Sequence, residues 1–301
     1  MKNLLNKIHL ISGCFLILML PSLSLMAQDI SEEVAQATND RKPVKNIFES
    51  IWLIDNQTVI VPVKGTFQFD IQHRFGTVKN GFDDLYGLYA PSNIRLGFDY
   101  TPINNLMLGF GLTKQNLSWD FNAKYAIFQQ SRSGGFPVSM TYYVNAAIDG
   151  RKKENFVNST DRFSYFHQLM LARKVSEKLS AQASINLSHY NAVEGYVTSE
   201  NQIEPKMKND HLSFSLLGRY KLTDAMAFLV NYDQPITKHL TNNPNPNISF
   251  GLEIATSSHA FQIFLGNYSN LIPQRNHMFN NNNFENGKFL IGFNITRLWN
   301  W

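Results

Sequence analysis

Cysteine is almost missing from this 301-residue chain: Cys14 is the only one. A disulfide framework and a thiolate metal site are thereby excluded. Charge is scarce as well. Only 17 % of residues are Asp, Glu, Lys or Arg, against about 25 % in a typical soluble domain. None of the eight histidines falls in an HExxH motif or at ligand spacing, so no metal or other cofactor is expected. There is no long basic run and no RNA-binding signature, so nucleic acid is not an expected partner.

Aromatics, in contrast, are plentiful. Phe occurs 23 times and Tyr 12 times, and hydrophobic residues reach 44 %. Such a chain is too apolar to stay disordered, yet not apolar enough for a helical membrane protein. Transmembrane β-barrels occupy this middle ground, because only alternate residues face lipid.

The first 27 residues read as a secretory signal peptide. Lys2 and Lys7 form a basic region, an apolar stretch runs from about Leu10 to Leu20, and Leu25-Met26-Ala27 precedes a cleavage point before Gln28. Pro21 and the polar residues from Gln28 argue against a membrane anchor. Cys14 has too little apolar sequence before it and too much after it for a lipidation site. Removing two lysines from the formal charge of +4 leaves the exported chain near neutrality, at +2.

Residues 28–64 form a polar leader followed by a short hairpin or plug segment. Ile51-Trp52-Leu53-Ile54 and Val59-Ile60-Val61 flank Asp55-Asn56-Gln57. This segment is read as a cover over the periplasmic barrel rim, with a plug inside the lumen as the alternative.

From 65 to 301 the hydrophobic period becomes two. Phe67, Phe69 and Ile71 alternate with Gln68, Asp70 and Gln72. Ile94, Leu96, Phe98 and Tyr100 alternate with Arg95, Gly97 and Asp99. The same holds near 106–113, 178–188, 248–254 and 288–296, and more weakly in six further stretches. The fold class predicted is all-β, an antiparallel up-and-down transmembrane barrel of about twelve strands. Its connections sort by length. Those near 75–91, 149–160, 190–209, 234–246 and 269–287 are long and polar. Those near 102–104, 175–177, 222–224 and 256–257 are short. Long and short alternate along the chain, apart from a brief connection at 115–117 and a longer one at 129–136. Short periplasmic turns and long outer loops are the pattern of bacterial outer-membrane barrels, so the outer membrane is the expected location. The chain closes on an aromatic strand with Trp299 and Trp301. That suits an interfacial girdle in outer-membrane lipid and recognition by the outer-membrane assembly machinery.

Several stretches resemble a family of exported outer-membrane β-barrel proteins of unknown function, common in Bacteroidota: His73-Arg74-Phe75-Gly76, Asn93 to Tyr100, Leu171-Ala172-Arg173-Lys174, and Gly292 to Arg297. The resemblance spans roughly 47–301. It implies a barrel in the outer membrane and carries over no catalytic residue.

Parity turns Asp70, Arg74, Arg95, Asp99, Arg219, Glu253 and Lys288 toward the lumen. Both signs are present, which suits either a paired network filling the barrel or a weakly selective polar path for a small solute. Passage or binding of a small solute is the leading expectation, with a structural or interaction barrel of filled lumen as the alternative. A lipid-modifying hydrolase is a third reading. His211 and Ser213 share one strand face, but parity directs them to the lumen, and neither an orienting acid nor an oxyanion hole is identifiable. Leu85, Leu88 and Tyr89 read as a small surface cluster rather than a constriction.

Overall fold

The computed structural model describes residues 41–300; the expected signal peptide lies outside them. Twelve strands form one closed antiparallel barrel. They are β3 (Thr66–Thr77), β4 (Asn93–Ile103), β5 (Leu106–Thr113), β6 (Ser118–Phe128), β7 (Ser139–Ile148), β8 (Phe163–Lys174), β9 (Leu179–Tyr190), β12 (Asp210–Lys221), β13 (Met226–Pro235), β14 (Asn247–Ala255), β15 (His259–Gly266) and β16 (Leu290–Asn300). Each pairs with the next, and β16 returns to β3 in a register running from Leu290↔Thr77 to Asn300↔Thr66. The all-antiparallel barrel and its strand number are those predicted.

The polarity of the wall is inverted relative to a soluble sandwich. In β3 the buried side chains are Gln68, Asp70, Gln72 and Arg74, while Phe67, Phe69 and Ile71 lie on the outer face. In β14, Asn247, Ser249 and Glu253 are buried, and Ile248, Phe250, Leu252 and Ile254 are exposed. Polar side chains inside and an apolar surface outside make sense only if the outside is not water. Eleven residues at about 3.3 Å each, tilted by roughly 40°, span ~28 Å, close to the thickness of a bilayer's hydrocarbon core. Among the described residues no helix is long and apolar enough to cross a membrane.

The connections segregate to two ends. At the turn end they are 104–105, 129–138, 175–178, 222–225 and 256–258. At the loop end they are 78–92, 114–117, 149–162, 191–209, 236–246 and 267–289. Loop 191–209 carries a small hairpin, β10 (Gly195–Val197) with β11 (Ile203–Pro205). Loop 267–289 carries a short helix, α1 (Pro273–Met278). Phe82, Tyr86, Leu88 and Tyr89 are exposed on loop 78–92, a surface cluster rather than a constriction.

Twelve strands enclose more space than their own side chains fill. Two pieces of chain occupy it. From the turn end, residues 47–60 enter as a hairpin, β1 (Trp52–Leu53) with β2 (Asn56–Gln57). From the loop end, 267–280 dip inward with α1. The rim cover expected for residues 47–63 is therefore corrected: the hairpin lies within the lumen. The reason is complementarity on two sides. Leu53, Ile54 and Val59 pack into one apolar cluster with the inward-facing Tyr143, Phe166, Met170, Leu217 and Leu229. Asp55, Asn56 and Gln57 meet wall amides and acids.

Candidate functional site

A hairpin with two-residue strands satisfies few of its own backbone groups, and the rest need other partners. Wall side chains do. Gln182 accepts the Val59 N–H at 2.9 Å and donates to the Gln57 carbonyl at 2.7 Å. Gln262 accepts the Ile54 N–H at 3.1 Å and donates to the Trp52 carbonyl at 2.8 Å. Thr141 donates to the Val59 carbonyl at 2.9 Å. The Gln, Asn and Thr residues of the inner wall thus replace a missing sheet neighbour. At the tip, Ile54 is held at a φ of 59°, a sterically poor conformation for a β-branched residue. Its carbonyl accepts from Arg74 and Asn294, so three strands restrain a strained residue.

Beneath the hairpin lies a buried ion cluster. Arg95 holds Asp120 through two parallel bonds of 2.8 and 2.9 Å and reaches Asp70 at 3.2 Å. Asn145 adds a bond to Asp120 at 2.9 Å, and the Trp52 indole donates to Asp70 at 3.4 Å. The cluster needs bare backbone beside it. A methyl group at Gly111 would collide with the Arg95 guanidinium and the Asp120 carboxylate, and one at Gly97 with Asp70. Lys124, fully buried, donates to Gln57 Oε1 at 2.6 Å and to the Thr58 carbonyl at 3.2 Å. Arg219 bonds Glu253 at 2.8 Å and lies 3.7 Å from Glu49.

The two inserted pieces touch. Asp55 accepts from Asn231 at 3.0 Å and from Asn276 of α1. Asn56 donates to Asn231 and to Asp233, at 2.9 and 2.8 Å. Helix α1 is tied to the wall by Gln274, which donates to Ser164 at 3.1 Å, and by His277, whose Nδ1 lies 3.0 Å from the Ser213 hydroxyl.

Asp70, Arg74, Arg95, Asp99, Arg219 and Glu253 are all buried on the inner wall. Lys288 is corrected. β16 begins only at Leu290, so strand parity does not extend to it, and Lys288 sits half-buried in the preceding loop, its N–H on the Asn283 carbonyl at 3.2 Å. His211 and Ser213 are buried inside and serve as latches for loops. Asp120 and Lys124 are central to the lumen and were not singled out from sequence, and Asp55, read there only as part of the hairpin turn, joins them. Their signal was legible: Ser118, Asp120, Asn122 and Lys124 alternate with Trp119, Phe121 and Ala123.

His211 also fixes a proton arrangement. The Lys208 N–H donates to Nδ1 of His239 at 3.0 Å, so the neutral His239 ring carries its proton on Nε2 and gives it to His211 Nδ1 at 2.9 Å. Burial, with Lys208 beside it, holds His239 below its ordinary value. A base whose folded value is lowered contributes fully above its unfolded value of about 6.5 and progressively less as the pH falls below it. Hydrogen-exchange protection at the Lys208 amide, corrected for intrinsic rate, is expected to fall below about pH 6.5 in the parent protein. In His239→Gln it should not respond to pH; equal pH dependence in both would refute the assignment.

An antiparallel barrel with an apolar exterior and an interior packed with its own chain defines a membrane-bound β-barrel protein. The chain belongs to the family described as "Membrane bound beta barrel domain (DUF5777)", which matches residues 48–299. No curated relative matches it in sequence. Among solved structures it is similar in fold to the NanC porin (TM-score 0.47, 9 % identity, 78 % of this chain and 99 % of that one). It is similar also to the COG4313 outer membrane channel from Pseudomonas putida F1 (TM-score 0.47, 12 % identity, 80 % and 97 %). The KdgM porin is a third (TM-score 0.42, 9 % identity, 78 % and 99 %).

Proposed function

We propose that the protein is a bacterial outer-membrane barrel for a small solute, kept closed by its own N-terminal hairpin. In this reading the turn end faces the periplasm, the loop end faces outward, lipid surrounds the wall, and β16 is the strand the assembly machinery recognises. The observation that carries it is the route of the hairpin. Its incoming arm lies along the turn end, where Pro43 bridges Ser131 and Val44 bonds Gln130. Its outgoing arm leaves at the same end, where the Gly65 N–H bonds the Thr101 carbonyl. A hairpin that enters and leaves by one end can withdraw without threading. A second reading, a permanently filled barrel that serves as a surface scaffold, is favoured by the apolar cluster joining hairpin and wall.

Planar-bilayer recording separates the two. The full chain is expected to stay closed with rare openings. A variant lacking residues 47–60 should conduct more, and one also lacking 268–280 should conduct steadily. Because acids and bases line the lumen together, little ion selectivity is expected. A correctly folded double-deletion barrel with background conductance overturns the channel reading.

A further inference from the structure

A cavity of about 310 Å³ opens between loop 149–162, the end of β9 and α1 at the loop end. Its size is at the small end of ligand clefts. Three guanidinium groups line it, from Arg151, Arg162 and Arg275. The carboxylates around them are already engaged. Asp149 grips Arg151 at 2.7 Å and accepts from Asn116 at 2.9 Å. Asp161 accepts the Asn158 N–H at 2.7 Å. Glu194 pairs with Lys206 at 3.4 Å and with Asn242 at 2.6 Å.

Arg162 and Arg275 differ from Arg151. Neither is in an ion pair among the described residues. The Nε of each is shielded from solvent and without a hydrogen-bond acceptor. Each guanidinium lies over a ring of the same cavity wall, Arg162 over Phe156 at 4.9 Å and Arg275 over Phe279 at 5.5 Å. Phe279 in turn meets the edge of Tyr190 at 5.0 Å, and the Tyr190 hydroxyl lies beside Arg275. An aromatic face attracts a guanidinium without neutralising it. Two cations held in place, in no ion pair and with unfilled Nε donors, offer a binding site to a carboxylate or similar anion, in a lining whose other charges are the engaged Arg151, Asp149 and Glu194 and the Asp161 carboxylate. Ser118, Ser164 and Asn155 add hydroxyl and amide groups to the lining, each with one protein partner already.

We infer that this cavity is a binding site for a small hydroxylated carboxylate, of the size and chemistry of a sugar acid, with Arg162 and Arg275 receiving the carboxylate. The inference does not depend on whether the barrel conducts, because it is read out by binding.

The test is calorimetric titration of the full chain in detergent micelles with D-glucuronate, D-glucose and inorganic phosphate. Glucuronate is expected to bind, with glucose and phosphate each weaker by about tenfold or more, the weight of one charge-assisted hydrogen bond. Arg162→Gln and Arg275→Gln should each weaken glucuronate by about tenfold. Arg297→Gln at the turn end, which removes the same charge outside the site, should leave it unchanged. Barrel closure of each variant is checked by its heat-dependent mobility on a gel. Equal binding of glucuronate and glucose overturns the anion site, and phosphate as tight as glucuronate overturns the sugar-acid assignment. No glucuronate binding, or unaltered binding by both folded site variants, overturns the proposal as a whole.

Discussion

Arg95→Ala is expected to cost roughly 3–5 kcal/mol of barrel stability, the largest effect of any single substitution at the lumen. The guanidinium is the counter-charge for two carboxylates, Asp70 and Asp120, that are fully buried. Removing it leaves both without an ion-pair partner in a space shielded from solvent. Losing the partner of a buried charge is far costlier than losing the pair as a whole. The variant that also carries Asp70→Asn and Asp120→Asn should therefore regain most of the loss, because neutral amides need no counter-ion. Urea unfolding of the refolded barrel in lipid vesicles, followed by tryptophan fluorescence, measures both. An Arg95→Ala barrel as stable as the parent would falsify this account of the cluster.

Lys124→Ala is expected to raise the occupancy of the open state about ten- to a hundredfold. The Lys124 ammonium is on the wall, in β6, and its two hydrogen bonds go to the hairpin, at Gln57 and Thr58. They exist only while the hairpin is docked. A hydrogen bond to a charged group is worth about 1.5–3 kcal/mol, and each 1.4 kcal/mol is about tenfold in an equilibrium. In the proposed channel reading a departing hairpin leaves the ammonium to lumen water, so the substitution weakens the closed state more than the open one. Lys124→Gln, which keeps a donor without the charge, should fall between the two. Single-channel open probability is the readout. A folded Lys124→Ala barrel that opens no more often than the parent removes Lys124 as a latch.

The barrel itself was legible because its physics is periodic. Gln68, Asp70, Gln72 and Arg74 against Phe67, Phe69 and Ile71 show which face meets lipid, and connection length sorts a turn end from a loop end. The charged lining followed from the same parity as far as strands extend. Lys288 marks its limit, since parity holds only where the backbone is extended, and there the loop continues to Phe289. The pairing of Arg95 with Asp120 depends on register between β4, β5 and β6, which alternation leaves undetermined. The place of the hairpin was less legible still. Its residues suit a rim or a lumen equally until one knows which wall side chains they face. Helix α1 gave no signal at all: it is six residues long and has Pro at its start, and its burial comes from the wall, not from its own pattern. The arginine cavity joins four loops and no periodicity reports on it.

The placement of the hairpin also fixes an order of assembly. Residues 50–59 come before every barrel strand in the chain, yet they bond to Thr141, Gln182, Asn231, Gln262 and Asn294, which lie 82 to 240 positions further on. Contacts so distant in sequence are the slowest to form. The full set cannot exist until β16, which supplies Asn294, has joined the wall. The seating of the inner chain is therefore completed only once the last strand is in place. Until then the hairpin lacks part of its set of wall partners.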